Sequence, residues 1–246
     1  MDTAQFTFHD RLNFFLPRKK KHKTLIREFD WRGSVKDMME SMGVPHAEID
    51  LIMVNGKGVT FDYIVEQGDI INVYPNFDVV DLPDKLRVRP IYEGRPRFIL
   101  DTHLGRLASY LRMMGFDTLY RAGDYPDEEI AEVANAENRI ALTRDVGVLK
   151  RSLVVYGYYI RNTNPRKRIA EVVEEFKLAN ITEPYKFCMK CNGTMIKVEK
   201  SDILTELTER TQRYYDEFHR CVNCKRIYWK GSHYKKMQTL MDEVLG

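Results

Sequence analysis

Apolar and polar residues alternate with a period of two in QFTFHD (5–10) and TLIREFD (24–30), which predicts two strands joined through a basic loop at 17–23. Ser34 then stands as a cap before SVKDMMESMG, where Val35, Met38, Met39 and Met42 fall at helical spacing and Gly43 ends the run. IDLIMVNGKGV carries an Asn55-Gly56 hairpin signal between apolar stretches, and GDIINVYP supplies a last strand. Residues 78–96 hold Pro83, Pro90 and Pro96 with little periodicity and read as a linker. Beyond them the pattern changes. RFIL is a strand; Leu104, Leu107, Ala108 and Leu111 form a helical stripe that Gly115 stops; FDTLY is a second strand. PDEEIAEVANAEN is a helix with Ile130, Val133 and Ala134 facing inward, followed by the strand RIAL, a fourth strand YGYYIR and the helix PRKRIAEVVEEFKL. This alternation predicts an α/β domain with a parallel sheet flanked by helices.

Composition narrows the class without fixing it. A chain of 246 residues with 43% hydrophobic content has room for one large domain or two to three small ones with real cores. The net charge of +3 balances 39 basic against 36 acidic residues, so any anion-binding surface must come from local clustering. No apolar run approaches the ~18 residues a membrane span needs, and the N-terminus has no signal pattern; a soluble, cytoplasmic protein is the expectation.

All four cysteines fall in two C-x2-C pairs, Cys188/Cys191 and Cys221/Cys224. That spacing lets two thiolates converge on one ion from a tight turn, and two such knuckles complete the tetrahedral shell of zinc. Four sulfur ligands leave no open position, so zinc here is expected to be structural. The ribbon is rich in rings and cations, among them Tyr214, Tyr215, Arg220, Arg226, Tyr228, Trp229 and Lys230, which suit stacking bases and holding a backbone. Ser232 is read as the cap of a final helix with an apolar face of Met237, Leu240, Met241 and Val244, and His233 has no assigned role.

Two acids stand where a ligand would gather. In open α/β sheets ligands lie outside the carboxyl ends of the strands. Asp101 follows the strand RFIL and Asp145 follows RIAL, while Asp127 or Glu129 of PDEE can turn toward them. An acid after a strand also caps the next turn, and first-turn acids complement a helix dipole. Three carboxylates brought together would repel unless protonated or bridged by a cation, and oxygen ligands suit magnesium or manganese.

Residues 97–237, with D-x-x-L-G-R-L-A, D-x-E-I, L-T-R-D, the paired knuckles and W-x-G-S-H in order, closely resemble the Mut-seven C-terminal RNase family of PIN-like nucleases. Residues 1–77 resemble the β-grasp fold of ubiquitin and small sulfur carriers, most closely in VNGKGV and VEQGDIINVYP, but lack a terminal Gly-Gly. The resemblances imply a β-grasp domain (1–77, α+β), a linker (78–96), a PIN-like nuclease domain (97–184) and a zinc ribbon with a C-terminal helix (185–246). They also imply RNA cleavage by a bound Mg or Mn, with Asp101 and Asp145 as ligands and an acid from PDEE, Asp127 or Glu129, as the third. Arg106, Arg112 and Arg144 are the candidate substrate contacts, Arg106 foremost because it lies nearest Asp101 on its helix. Where PIN domains often carry a further acid after the fourth strand, this chain has Asn162 and Asn164. The β-grasp domain is expected to dock a protein partner. The alternative is a non-catalytic RNA-binding or ribosome-associated adaptor on the same scaffold.

Overall fold

The computed structural model describes residues 1–75, 87–231, 234, 235, 238, 239 and 243. The chain divides into two compact units, residues 1–93 with 145–159 and residues 94–144 with 160–246.

The first unit is a five-stranded sheet in the order β2-β1-β5-β3-β4 with one helix. Strands β1 (Asp2–Phe8) and β2 (Thr24–Phe29) pair antiparallel, and β1 pairs parallel with β5 (Ile70–Pro75). β3 (Ile49–Val54) and β4 (Lys57–Gly58) meet at Asn55-Gly56, both with positive φ (50° and 79°), the turn that dipeptide predicts. Helix α1 (Val35–Ser41) begins where Ser34 accepts the Asp37 amide and buries Val35, Met38 and Met39 on the sheet. The basic segment differs from a plain loop: Asp10–Phe15 and Arg18–Lys20 are 3-10 turns, the second fully exposed.

Two features of this unit lie outside residues 1–77. Of the expected linker, 76–86 lie outside the described residues, but Arg87 and Arg89 pair with the buried Asp50, and Arg89 also donates to the Ala47 carbonyl at 2.8 Å. The unit also includes helix α4 (Val146–Leu149) and strand β9 (Gly157–Tyr159), and β9 is at the same time the edge strand of a four-stranded sheet, the fourth strand that YGYYIR predicts. The cause is a buried acid: Glu48, wholly inaccessible, accepts the Tyr159 amide at 2.6 Å and pairs with Arg11 at 3.2 Å, while Phe14 and Phe15 pack on the Tyr159 ring.

In the second unit β6 (Phe98–Leu100) lies between β7 (Thr118–Tyr120) and β8 (Ile140–Thr143), all parallel and in register from Phe98. Helices α2 (Gly105–Met113), α3 (Asp127–Ala136) and α5 (Pro165–Glu175) bury Leu107, Leu111, Ile130, Ile169 and Val172. α2 stops at Gly115, whose φ of +86° suits glycine alone among common residues. The ribbon is a three-stranded antiparallel sheet of β10 (Met195–Val198), β11 (Phe218–Cys221) and β12 (Ile227–Trp229), with short helices α6 (Lys200–Ile203) and α7 (Glu209–Tyr214) inserted before β11. Among the described residues no helix is long and apolar enough to cross a membrane. Ser232, His233, Met237, Leu240, Met241 and Val244 lie outside the described residues.

Candidate functional site

β6 is apolar and buried throughout, and the chain reaches its carboxyl end at Asp101, which is only 8% exposed. A buried carboxylate must be satisfied, and Asp101 is satisfied three times. One oxygen accepts the His103 amide at 2.9 Å, which caps the turn Thr102–Leu104. The other accepts the Thr143 hydroxyl at 2.6 Å and the Arg144 amide at 2.8 Å. Asp101 therefore fixes the ends of β6 and β8 to each other, and its orientation is set by neighbours before any ligand arrives.

The same edge is closed by the segment 160–162. The Arg144 guanidinium donates to the carbonyls of Ile160, Arg161 and Asn162 at 2.7, 3.2 and 3.0 Å. From α5, Glu171 accepts both backbone amides at 161 and 162 and the Asn162 side chain, and Arg168 joins the Asn162 and His103 carbonyls. Asn164 caps α5. An acid does approach the loop that lacks one in sequence, but it comes from the following helix and is occupied with N–H donors.

The remaining expected residues are distributed unevenly. Asp145, exposed, caps α4 by accepting the Gly147 amide at 2.6 Å. Glu129 is held by Arg121 through two bonds of 2.9 and 2.6 Å, and Asp127 is half-buried at the first position of α3. Arg106 is exposed on α2. Arg112 is not: at 3% exposure it donates to the carbonyls of Thr118, Met189 and Lys190, so the substrate contact expected of it gives way to a structural role. Arg144 is likewise engaged with backbone carbonyls. Among the described residues the four cysteines are the only set of three or more histidine, cysteine or acidic side chains close enough to share an ion. Glu129 turns to Arg121, and Asp101 and Asp145 are each oriented by their own donors.

The cysteine cluster fits a metal. All four sulfurs lie within 4.8 Å of one another, with Cys188–Cys224 at 3.6 Å and Cys191–Cys221 at 3.5 Å. A zinc tetrathiolate with Zn–S of about 2.3 Å places sulfurs about 3.8 Å apart. Burial alone would raise the Cys188 thiol, but the Tyr228 hydroxyl 3.1 Å away and the backbone amides of Cys191 and Lys190 outweigh it and bring it down to about 7. The first knuckle is tied to the parallel-sheet domain by residues that spacing does not single out. Asn192, left-handed at φ 64°, accepts the Thr118 amide at 2.9 Å and donates to Asp117 at 2.6 Å. Asp117 also receives Arg97 and both Nη atoms of Arg139. Among cysteine-knuckle positions, an asparagine at the turn is the one signal that could have pointed to this contact.

A sheet-and-helix domain of β-grasp order, a parallel-sheet domain whose central strand ends in a buried acid, and a four-cysteine ribbon docked on the latter define a multidomain α/β protein with a ribbon-bearing nuclease-like module. The chain matches the Mut7-C RNAse domain over residues 96–241 and the Mut7-C ubiquitin domain over residues 1–81. It belongs to the Mut7-C RNAse family, with the ubiquitin-like domain preceding the RNAse domain. No curated protein and no solved structure matches it.

Proposed function

We propose that this protein is a ribonuclease that hydrolyses RNA phosphodiesters with a divalent ion held by Asp101 and Asp145. The family match suggests a nuclease; the observation that carries the rest is Asp101, buried at the carboxyl end of the central strand with three donors fixing its orientation. Magnesium is commonly bound by only one or two carboxylates together with substrate phosphate oxygens, so a third gathered acid is not required. Asp145 enters through the L-T-R-D resemblance, and Asp127 stands as a further acid for a substrate-completed site. When bound there, magnesium or manganese supplies an activated water and stabilises charge developing at phosphorus. Asp101 would present a pre-oriented oxygen, and Arg106 would hold a phosphate. Zinc at the cysteines would be structural, and the ubiquitin-like domain would dock a protein partner.

The test is cleavage of a mixed pool of labelled structured and single-stranded RNAs with magnesium, with manganese and with chelator, beside an Asp101→Asn/Asp145→Asn variant. Metal-dependent cutting absent from the variant supports the nuclease. The adaptor reading is favoured by the donors already on Asp101; it requires RNA binding in chelator with equal, negligible cutting by both proteins.

A further inference from the structure

One surface of the second unit is built like a binding site. Along α2, the residues Gly105, Arg106, Ser109 and Tyr110 face Met189, Lys190, Arg226 and Tyr228 of the two knuckles across a groove of about 550 Å³. Three cations from three distant parts of the sequence meet there, and no acidic residue lines the groove. Several other surface cations of this unit are neutralised: Arg220 pairs with Glu206, Lys230 with Glu217 at 3.0 Å and Arg121 with Glu129 at 2.6 Å. Among the described residues, Arg106, Lys190 and Arg226 form no ion pair. The wall that carries Lys190 is rigid, because the buried Arg112 holds the carbonyls of Met189 and Lys190.

The groove shares Met189, Arg226 and Tyr228 with a neighbouring pocket of about 300 Å³, so the two adjoin. That pocket is lined by rings, chiefly Tyr185, Phe187, Tyr228 and Trp229, with Met113 and Met195. A cationic track beside an aromatic pocket matches the chemistry of a single strand, whose backbone needs counter-charges and whose unstacked bases need π-faces. A duplex keeps its bases stacked and has nothing to place in the pocket. An acidic peptide would use the cations but not the rings.

We infer that this groove and pocket form a single-stranded RNA site, with phosphates on Arg106, Lys190 and Arg226 and one unstacked base beside Phe187. The inference rests on the ribonuclease reading for its choice of RNA. It places the incoming strand on the helix that follows the turn capped by Asp101.

Binding is measured by fluorescence anisotropy of a short labelled oligouridine and of a duplex of equal length, without added magnesium. The full chain carries Asp101→Asn so that the probe survives. Adding Arg106→Gln/Lys190→Gln/Arg226→Gln is expected to weaken single-strand binding about tenfold or more and to make the salt dependence shallower by about 2, from three lost contacts. Phe187→Leu is expected to weaken it about fivefold or more with the salt slope unchanged, and to leave duplex binding as it was. Equal zinc content and melting temperature show that the variants fold. The proposal is overturned if the triple variant binds like its parent, if single strand and duplex weaken equally, or if an acidic peptide competes as well as RNA. Cleavage by the chain with Asp101 intact separates the two readings. Cutting with unchanged KM in the triple variant removes the groove and leaves the nuclease. Groove-dependent binding without metal-dependent cutting supports the groove and removes the nuclease.

Discussion

Arg106 and Arg112 stand on one helix, and burial separates them. Both lie off the apolar stripe, so sequence placed them together; Arg112 became distinguishable only once the carbonyls of Met189 and Lys190, far away in the chain, were in view. Replacing Arg112 with Ala leaves buried carbonyls unmet and is expected to cost about 2–3 kcal/mol in urea unfolding, whereas Arg106→Gln should leave the midpoint unmoved. Asp117 makes a second residue-scale prediction. Burial pushes its carboxyl up, but Arg139, Asn192 and Arg97 outweigh it and hold it below the usual range. A lowered folded pKa stabilises above the unfolded value of about 3.9 and is lost as pH falls through the folded value. Urea midpoints should therefore drop steeply below about pH 4, and the drop should flatten in Asp117→Asn.

At the scale of elements, local signals were the most legible. The Ser34 cap, the Asn55-Gly56 turn and the Gly115 stop each stand where the sequence put them, because each is decided by a dihedral or a single hydrogen bond within a few residues. Gly115 should be intolerant of change: an added Cβ would lie 2.1 Å from the Glu183 carbonyl oxygen at a φ of +86°. Gly115→Ala is expected to cost about 2 kcal/mol or more by thermal or urea unfolding. Helix α4 was not foreseen, since four residues give no periodicity and only its cap, Asp145, was noticed. That double role offers a clean substitution. Asp145→Ala should lose about 0.5–2 kcal/mol with the cap, while Asp145→Ser keeps a cap oxygen and should melt with the parent.

For the whole molecule, the order of domains was readable from the change of period and from the cysteines, but the division into units was not. The acids and rings that draw residues 145–159 to the first unit act across long separations, as Glu48 does on Tyr159. Residues 1–93 produced alone should consequently melt below the first transition of the full chain and bind a hydrophobic dye, because Phe14, Phe15 and Glu48 lose Tyr159. At the candidate site, chain position predicts which strand end an acid follows, but not which donors claim it. The cysteines, whose geometry is set by two tight turns, were placed correctly. Stripping the metal should yield one zinc per chain by elemental analysis, and hydrogen exchange should rise in the ribbon and in Thr118, which Asn192 and Arg112 bind. The central claim is that carboxylates hold a divalent ion for RNA cleavage, and the most direct measurement is the single-turnover cleavage rate against magnesium concentration for the wild type and Asp145→Ser. A metal-dependent rate is expected in the wild type and is lost in the equally stable Asp145→Ser. Equal rates and equal magnesium dependence in the two proteins would contradict it.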